Sequence, residues 1–286
     1  QRNVVGSILG ATGKLKPATA DRITTFLFPG IKEGKFNAAG AVAWSQASNV
    51  ATASISPLAD VRAQGDISVT AKISDRPGSS AGAKTTSTGS AIGGSVARGN
   101  FANTANASIG SDATVDARGA TLVDAQTVVP YPWQIDWTDP QEILDFLKGG
   151  VLDMFLSTYS INSAKGKSGL GLAVGVNIFD LANNANAWID EGAQLNTRFL
   201  PVAGLATQSV KVSALNDVSL TAAVGILSKK FLGTSGGKAA VGGSADLIGI
   251  DTKASATIRG DAEVNSAALD LNANDIQRLV SVTEAG

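Results

Sequence analysis

The sequence predicts an all-β solenoid on three observations: a frame that returns four times, a period of two inside it, and turn-forming residues at its corners. The frame reads Ala53-Ser54-Ile55, Ala107-Ser108-Ile109, Ala187-Trp188-Ile189 and Ala256-Thr257-Ile258. Six residues after each anchor alanine follow Ala59-Asp60-Val61, Ala113-Thr114-Val115, Ala193-Gln194-Leu195 and Ala262-Glu263-Val264. Small or β-branched apolar residues alternate there with mostly polar ones, as in a strand with one buried face. The alanines with Ile or Val are assigned inward, and Ser54, Asp60, Thr114, Gln194 and Glu263 outward. Ser56-Pro57-Leu58, Gly110-Ser111-Asp112, Asp190-Glu191-Gly192 and Arg259-Gly260-Asp261 separate the paired strands. Residues of this kind supply the φ values and local hydrogen bonds of turns, so each frame is strand, tight corner, strand.

The unit extends in both directions. Ala91-Ile92-Gly93-Gly94-Ser95 and Ala240-Val241-Gly242-Gly243-Ser244 begin 16 residues before their anchors, and residues 37–41 and 171–175 occupy the same offset. Downstream, Ile67-Ser68-Val69-Thr70-Ala71, Val210-Lys211-Val212-Ser213-Ala214 and Leu269-Asp270-Leu271-Asn272-Ala273 form a further alternating strand, shortened to residues 122–125 in the second unit. The anchors stand 54, 80 and 69 residues apart, so the unit is about 54 residues and the longer intervals carry insertions. Residues 130–157 match the first excess; interruptions near 198–207 and 228–238 account for the second. At roughly 20 to 25 residues per coil, the repeat portion would make on the order of ten coils and a stack of about 50 Å.

A solenoid of 286 residues is one continuous body, with units that bury their apolar faces on their neighbours. Its 44% hydrophobic but only 5% aromatic content implies a narrow core of small residues. The net charge of −1 offers no basic face to organise a phosphate backbone, which argues against nucleic acid as a partner. The chain has no cysteine, hence no disulfide framework or thiol catalysis, and this is compatible with secretion. No run approaches the roughly 18 apolar residues of a membrane helix. Starting at Gln1, the chain reads as a processed product or a piece of something longer.

Chemical motifs fail on inspection, and no cofactor or metal is expected. Gly13-Lys14 and Gly166-Lys167-Ser168 lack the glycine that a phosphate loop needs five positions earlier, where Ile8 and Ile161 stand. Without histidine, the usual base of hydrolytic triads is missing. The carboxylate pairs Asp60 with Asp66, Asp112 with Asp116 and Asp190 with Glu191 sit at corners, where turn residues are the ordinary reading.

The repeat is broken most conspicuously by residues 130–157. Tyr131, Trp133, Trp137, Phe146 and Phe155 gather there in a chain otherwise poor in aromatics. Asp139-Pro140-Gln141-Glu142 reads as a helix start, followed by an apolar stripe of Ile143, Leu144, Leu147, Val151, Met154 and Phe155. The expected helix either covers a flank of the solenoid or, since tryptophan and tyrosine anchor interfaces, binds a partner. Trp188, outward where the other frames are polar, is added as a contact candidate.

The glycine-alanine strand starts, the stretch Leu181-Ala182-Asn183-Asn184-Ala185-Asn186, the paired frames and the closing Val-x-Val-x-Ala strand together resemble giant secreted bacterial proteins of the leukotoxin-like and filamentous-haemagglutinin-like β-helical kind. The resemblance covers most of the chain outside the insertions. It implies a right-handed parallel β-helix, extracellular or at the cell surface, with an adhesive, matrix or toxin role. The organisation expected is residues 1–36 as N-terminal coil with apolar decoration, 37–129 as two repeats, 130–157 as the helical aromatic insertion and 158–286 as two more repeats. The function expected is a structural or adhesive protein, part of a giant β-helix or a filament-forming subunit, that self-associates end to end or laterally, continues in a longer polypeptide, or holds a cell-surface glycan or protein. The alternative is a polysaccharide-active β-helix lyase or hydrolase using carboxylates.

Overall fold

The computed structural model describes residues 2–4, 36–130, 156–198, 208–225 and 233–283, with the backbone alone for 2–4 and 233–236. Four strands of 20 residues, β2 (Phe36–Ile55), β6 (Ser90–Ile109), β10 (Leu170–Ile189) and β14 (Ala239–Ile258), lie side by side in parallel as sheet A. Each leads through a corner into sheet B, made of β3 (Asp60–Ala63), β7 (Thr114–Ala117), β11 (Gln194–Leu195) and β15 (Glu263–Val264). The chain then returns along sheet C. There β4 (Ile67–Ser74) and β5 (Ser79–Ser87) serve the first unit, and β8 (Thr121–Val129) and β9 (Thr158–Gly166) the second. β12 (Ser209–Gly225) with β13 (Gly233–Gly236) serves the third, and β16 (Ala268–Thr283) the fourth. The described residues are thus all strand and turn in three parallel sheets, an arrangement compatible with a β-solenoid. β1 (Arg2–Val4) is the exception, running antiparallel along residues 44–46 of β2.

The four anchor alanines form one column: Ala53 pairs with Ala107, Ala107 with Ala187, and Ala187 with Ala256. The unit of about 54 residues is therefore a single coil, and there are four of them among the described residues. The expectation of about ten small coils is overturned. A 20-residue strand is about 66 Å long while four coils stack only about 14 Å high, so the body is broad and shallow.

Insertions leave this register untouched. Val129 at the end of β8 pairs with Val218, Thr158 at the start of β9 pairs with Ala222, and β12 runs unbroken between those partners. Residues 130–157 thus stand where the first coil has only Arg76-Pro77-Gly78, and they leave and rejoin the same strand line. In the third coil the excess falls between β11 and β12, as expected near 198–207. A second excess falls at residues 226–232, earlier than expected, because residues 233–236 already pair with β9. The helix expected after Asp139, with Tyr131, Trp133, Trp137, Phe146 and Phe155, lies outside the described residues; the described residues contain no helix.

The corners repeat as closely as the strands. Ala59, Ala113, Ala193 and Ala262 each donate their backbone N–H to the carbonyl three residues back, at 3.3 Å. The residue before each alanine has positive φ: Leu58 at 62°, Asp112 at 55°, Gly192 at 71° and Asp261 at 54°. A four-residue turn with left-handed backbone at its third position reverses the chain tightly. Asp and Gly suit that position, whereas Leu58 carries the cost of about 1–2 kcal/mol that a side chain meets there.

Sheets A and C diverge from a narrow edge towards sheet B, and side-chain size follows the gap. Beside sheet B, Ile109, Ile189, Val115, Leu195, Val123, Val210 and Val212 are fully buried. Further along, Phe101 and Phe179 pack with ring centres 5.4 Å apart, beside Leu181, Val218 and Leu220. A Cβ on Gly99 would stand 2.7 Å from the Phe179 ring, so that glycine makes room for the phenylalanine one coil above. At the narrow edge Ala, Gly, Ser and Asn predominate, with Thr85 and the fully buried Val224 among them. The Ser95 and Ser160 hydroxyls meet at 2.6 Å, and a Cβ on Gly175 would lie 2.7 Å from Asn162 Nδ2.

Two outcomes test this architecture. Replacing residues 130–157 by Arg-Pro-Gly, as in the first coil, is expected to preserve the far-ultraviolet circular dichroism and a single unfolding transition; loss of cooperative unfolding would mean that the insertion builds the core. Phe179→Ala is expected to cost about 3–5 kcal/mol in denaturant unfolding, as for other fully buried aromatics.

Candidate functional site

The inward columns carry side-chain ladders as well as apolar stacks. Asn49 Nδ2 donates to Asn103 Oδ1 at 2.8 Å, and Asn103 Nδ2 to Asn183 Oδ1 at 2.9 Å, so one amide row ties three coils together. The row stops at the fourth coil, where Thr252 replaces asparagine and the buried Asn183 Nδ2 is left without a partner among the described residues. Nearby, Thr127 donates to Asn216, and Asn177 links Thr158 to Asp246 at 2.5 and 2.7 Å. These polar groups brace the interior, because a buried amide must have its hydrogen bonds met.

Four of the six carboxylates singled out in the sequence are likewise engaged in bracing. Asp66 accepts the backbone N–H of Ala120 at 2.8 Å, and Asp190 accepts that of Glu191 at 3.1 Å. Asp60 receives Arg62 at 2.9 Å and Arg198 at 3.0 Å, while the buried Asp116 accepts the Arg198 backbone N–H at 3.1 Å. Arg198 therefore spans the outer face of sheet B from the third coil to the first. Among the described residues, no three His, Cys, Asp or Glu side chains are grouped to hold a metal. Gly166-Lys167-Ser168 forms part of the corner from β9 to β10, where Lys167 N–H donates to the Ser87 carbonyl at 3.0 Å.

Of the predicted contact residues, only Trp188 lies among the described residues. It is half-buried on the outer face of sheet A, and the Arg259 guanidinium sits 5.1 Å from its ring centre while also pairing with Asp190 at 3.3 Å. That stack locks the corner between the third and fourth coils, which accounts for tryptophan at a position polar elsewhere. Trp44, unmarked by the repeat, is the more exposed tryptophan at 54%, with Arg98 at 5.6 Å. It stands on the same face among Val42, Val96, Val174, Val241 and Leu247, all exposed. Those outward positions belong to one half of the long strands, and period-two reading of any single strand does not reveal that they adjoin.

The strongest departure from a finished surface is the end of the stack. Leu269 and Leu271 of β16 are 52% and 50% exposed, whereas Val210 and Val212, one coil back in the same columns, are at 0%. Leu279 at 46% answers to Leu220 at 2%. Among the described residues no strand pairs with the free edges of β14, β15 or β16. The other end differs. The inward Val69, Ala71 and Ile73 of the first coil are buried, and β1 lies along part of β2. Such a bare, apolar parallel edge is a template for further strands. No protein family, curated protein or solved structure matches the chain.

The Asp60 cluster gives a measurable signature. Hydrogen bonds from Arg198 and then Arg62 hold the Asp60 carboxyl below its ordinary value of 3.8. The charged form is favoured in the fold, so its stabilising contribution is present above the unfolded value and is lost as pH falls through the lowered one. A side-chain titration followed by NMR is expected to place the Asp60 midpoint below 3.8, and Arg198→Ala to raise it; an unchanged midpoint would show that Arg198 does not pair with Asp60 in solution.

Proposed function

We propose that this chain is a structural or adhesive protein of the cell surface or extracellular medium, built as a right-handed parallel β-helix. The bare fourth coil carries this reading: leucines that belong to an interior column are half exposed where the column ends. A stack whose last layer is made like its inner layers is suited to extension, by further coils of a longer polypeptide or by another copy. The side chains with chemical potential support the same view, since the carboxylates described above brace corners and coil contacts. The exposed face around Trp44 is a second surface, suited to a glycan or protein partner.

Antibody labelling of intact producing cells, with the culture medium assayed in parallel, tests the location. The expected outcome is signal on unbroken cells or in the medium; signal that appears only after lysis would overturn the reading. Sizing the native product in the same extracts distinguishes a longer polypeptide from a separate subunit.

A further inference from the structure

We propose that the narrow half of the outer face of sheet A is a docking surface for a lipid bilayer with anionic headgroups. The outward rows of the four long strands divide this face sharply. From the Ala38 row to the Trp44 row, Arg98 is the single polar residue among sixteen outward positions, and the others are Gly, Ala, Val, Ile, Leu or Trp. Val42, Trp44, Val96, Val174, Val241 and Leu247 are exposed there by 37% to 55%. The next row holds Gln46, Asn100 and Asp180, and from it to the corner the face is mostly hydroxyls, amides and charges. Four rows about 6.6 Å apart on four strands about 4.8 Å apart make a field on the order of 500 Å², a size at which an exposed apolar patch is often functional.

Charge gives a second, independent indication. Residues 36–45, 79–98, 158–178, 218–225, 233–245 and 276–283 build the narrow end of sheets A and C. They hold Lys84, Arg98, Lys165, Lys167, Lys238 and Arg278 and no Asp or Glu. At the opposite edge, residues 56–66, 110–119, 190–198 and 259–265 hold eight Asp or Glu against four Arg. The strands between the two edges are about 66 Å long, many times the screening length of about 8 Å at physiological salt, so a surface at one edge does not feel the charge of the other. An anionic surface therefore draws in the narrow end and leaves sheet B turned away. Lys167 and Lys238 sit at the corners beside the apolar field, and Arg98 lies on its far border. Cations thus flank the field on both sides, as on a protein face that settles at the headgroup boundary.

The same details single out a bilayer among the partners open to this face. Trp44 stands on the last apolar row, with the Arg98 guanidinium 5.6 Å from its ring centre. Ring and cation together suit the level of the headgroup phosphates, where the apolar body of tryptophan and its N–H are both satisfied. Within the field a glycan would find little besides Arg98 and the Trp44 N–H to hydrogen-bond. A second copy laid field to field would bury two Arg98 guanidiniums where neither copy supplies a carboxylate, which is costly. The proposal goes beyond the structural or adhesive reading and stands apart from it.

Flotation with vesicles of phosphatidylcholine and phosphatidylserine in a three-to-one mixture, set against phosphatidylcholine alone, tests the proposal. The chain is expected to bind the mixed vesicles at least tenfold more tightly, and added salt to weaken that binding. Tryptophan emission is expected to shift to the blue on binding, and Trp44→Phe to abolish the shift. Lys167→Glu/Lys238→Glu is expected to weaken binding at least tenfold. Lys72→Glu/Lys211→Glu, the same change of charge on the outer face of sheet C, is expected to leave it within about twofold. Val174→Gln/Leu247→Gln, at exposed sites, is expected to abolish it. No binding to mixed vesicles, equal binding to both kinds, an equal loss in the charge-matched pair, or binding that survives Val174→Gln/Leu247→Gln would each overturn the proposal, the last by reducing it to adsorption on any polyanion. A lipid-free dimer broken by Val174→Gln/Leu247→Gln would give the face to a second copy instead. A chain recovered from the cell surface that ignores vesicles would lose this proposal and keep the structural reading.

Discussion

Vertical register is the constraint on which the rest of the molecule depends. Every inward side chain stands on its counterpart one coil below, along 20 paired positions of sheet A and up to 16 of sheet C. A slip of one residue in any strand would turn its whole inward row to solvent and bring its polar row inside. The corners protect against that slip, because each coil bends through the same turn with its left-handed residue in the same place. Amide rows add a second check, since Asn49, Asn103 and Asn183 find one another only in correct register. Extra chain is therefore accommodated only where it can leave and rejoin the strand line, as residues 130–157 do between Val129 and Thr158.

Packing is conserved by neighbourhood rather than by column. In one inward column Ser45, Gly99, Phe179 and Ile248 follow one another, a run of volumes that makes no sense read down a single line. Phe179 fills the space above Gly99 and touches Phe101, so the volume lost at the glycine is returned by a ring from the next coil. The same exchange explains the narrow edge, where Gly175 admits Asn162. The interior is consequently a graded wedge, with branched residues beside sheet B, the two phenylalanines further along, and mostly small, hydroxyl- or amide-bearing residues at the far side.

This distribution explains what could be read from the amino acids and what could not. The anchor alanines, their corners and their inward and outward faces were legible because they lie beside sheet B, where columns are uniform: Ile55, Ile109, Ile189 and Ile258 are one residue type repeated. Coil size was not legible. Along Phe36–Ile55 the inward row passes through Ser45 and Asn49, and its equivalents through Gly93, Ser95 and Gly99. A single 20-residue strand therefore resembles several short ones, and one coil reads as two or more. The exposed surface around Trp44 was hidden for a related reason: Val42 adjoins Val96, 54 residues on, and Leu247 shares the row of Trp44 across three strands. The ending of the fourth coil could be suspected from Leu269-Asp270-Leu271, but the difference between the two ends required the burial of each row.

That difference bears on how the chain avoids uncontrolled aggregation. Parallel edges of this length are commonly guarded by lysine, proline or a bulge. β14 and β16 have none of these in their inward rows, which present Ile248, Ile250, Ile258, Leu269, Leu271 and Leu279 beside Asp246, Thr252, Asp275, Gln277 and Ser281. The polar members do not behave as guards, because they are satisfied laterally: Gln277 donates to Thr252 at 2.5 Å, and Thr252 in turn to Asp275. Their pairing across the wedge leaves the layer with a mixed apolar and hydrogen-bonded character. Such a surface loses most by facing water and gains most from another layer with the same spacing.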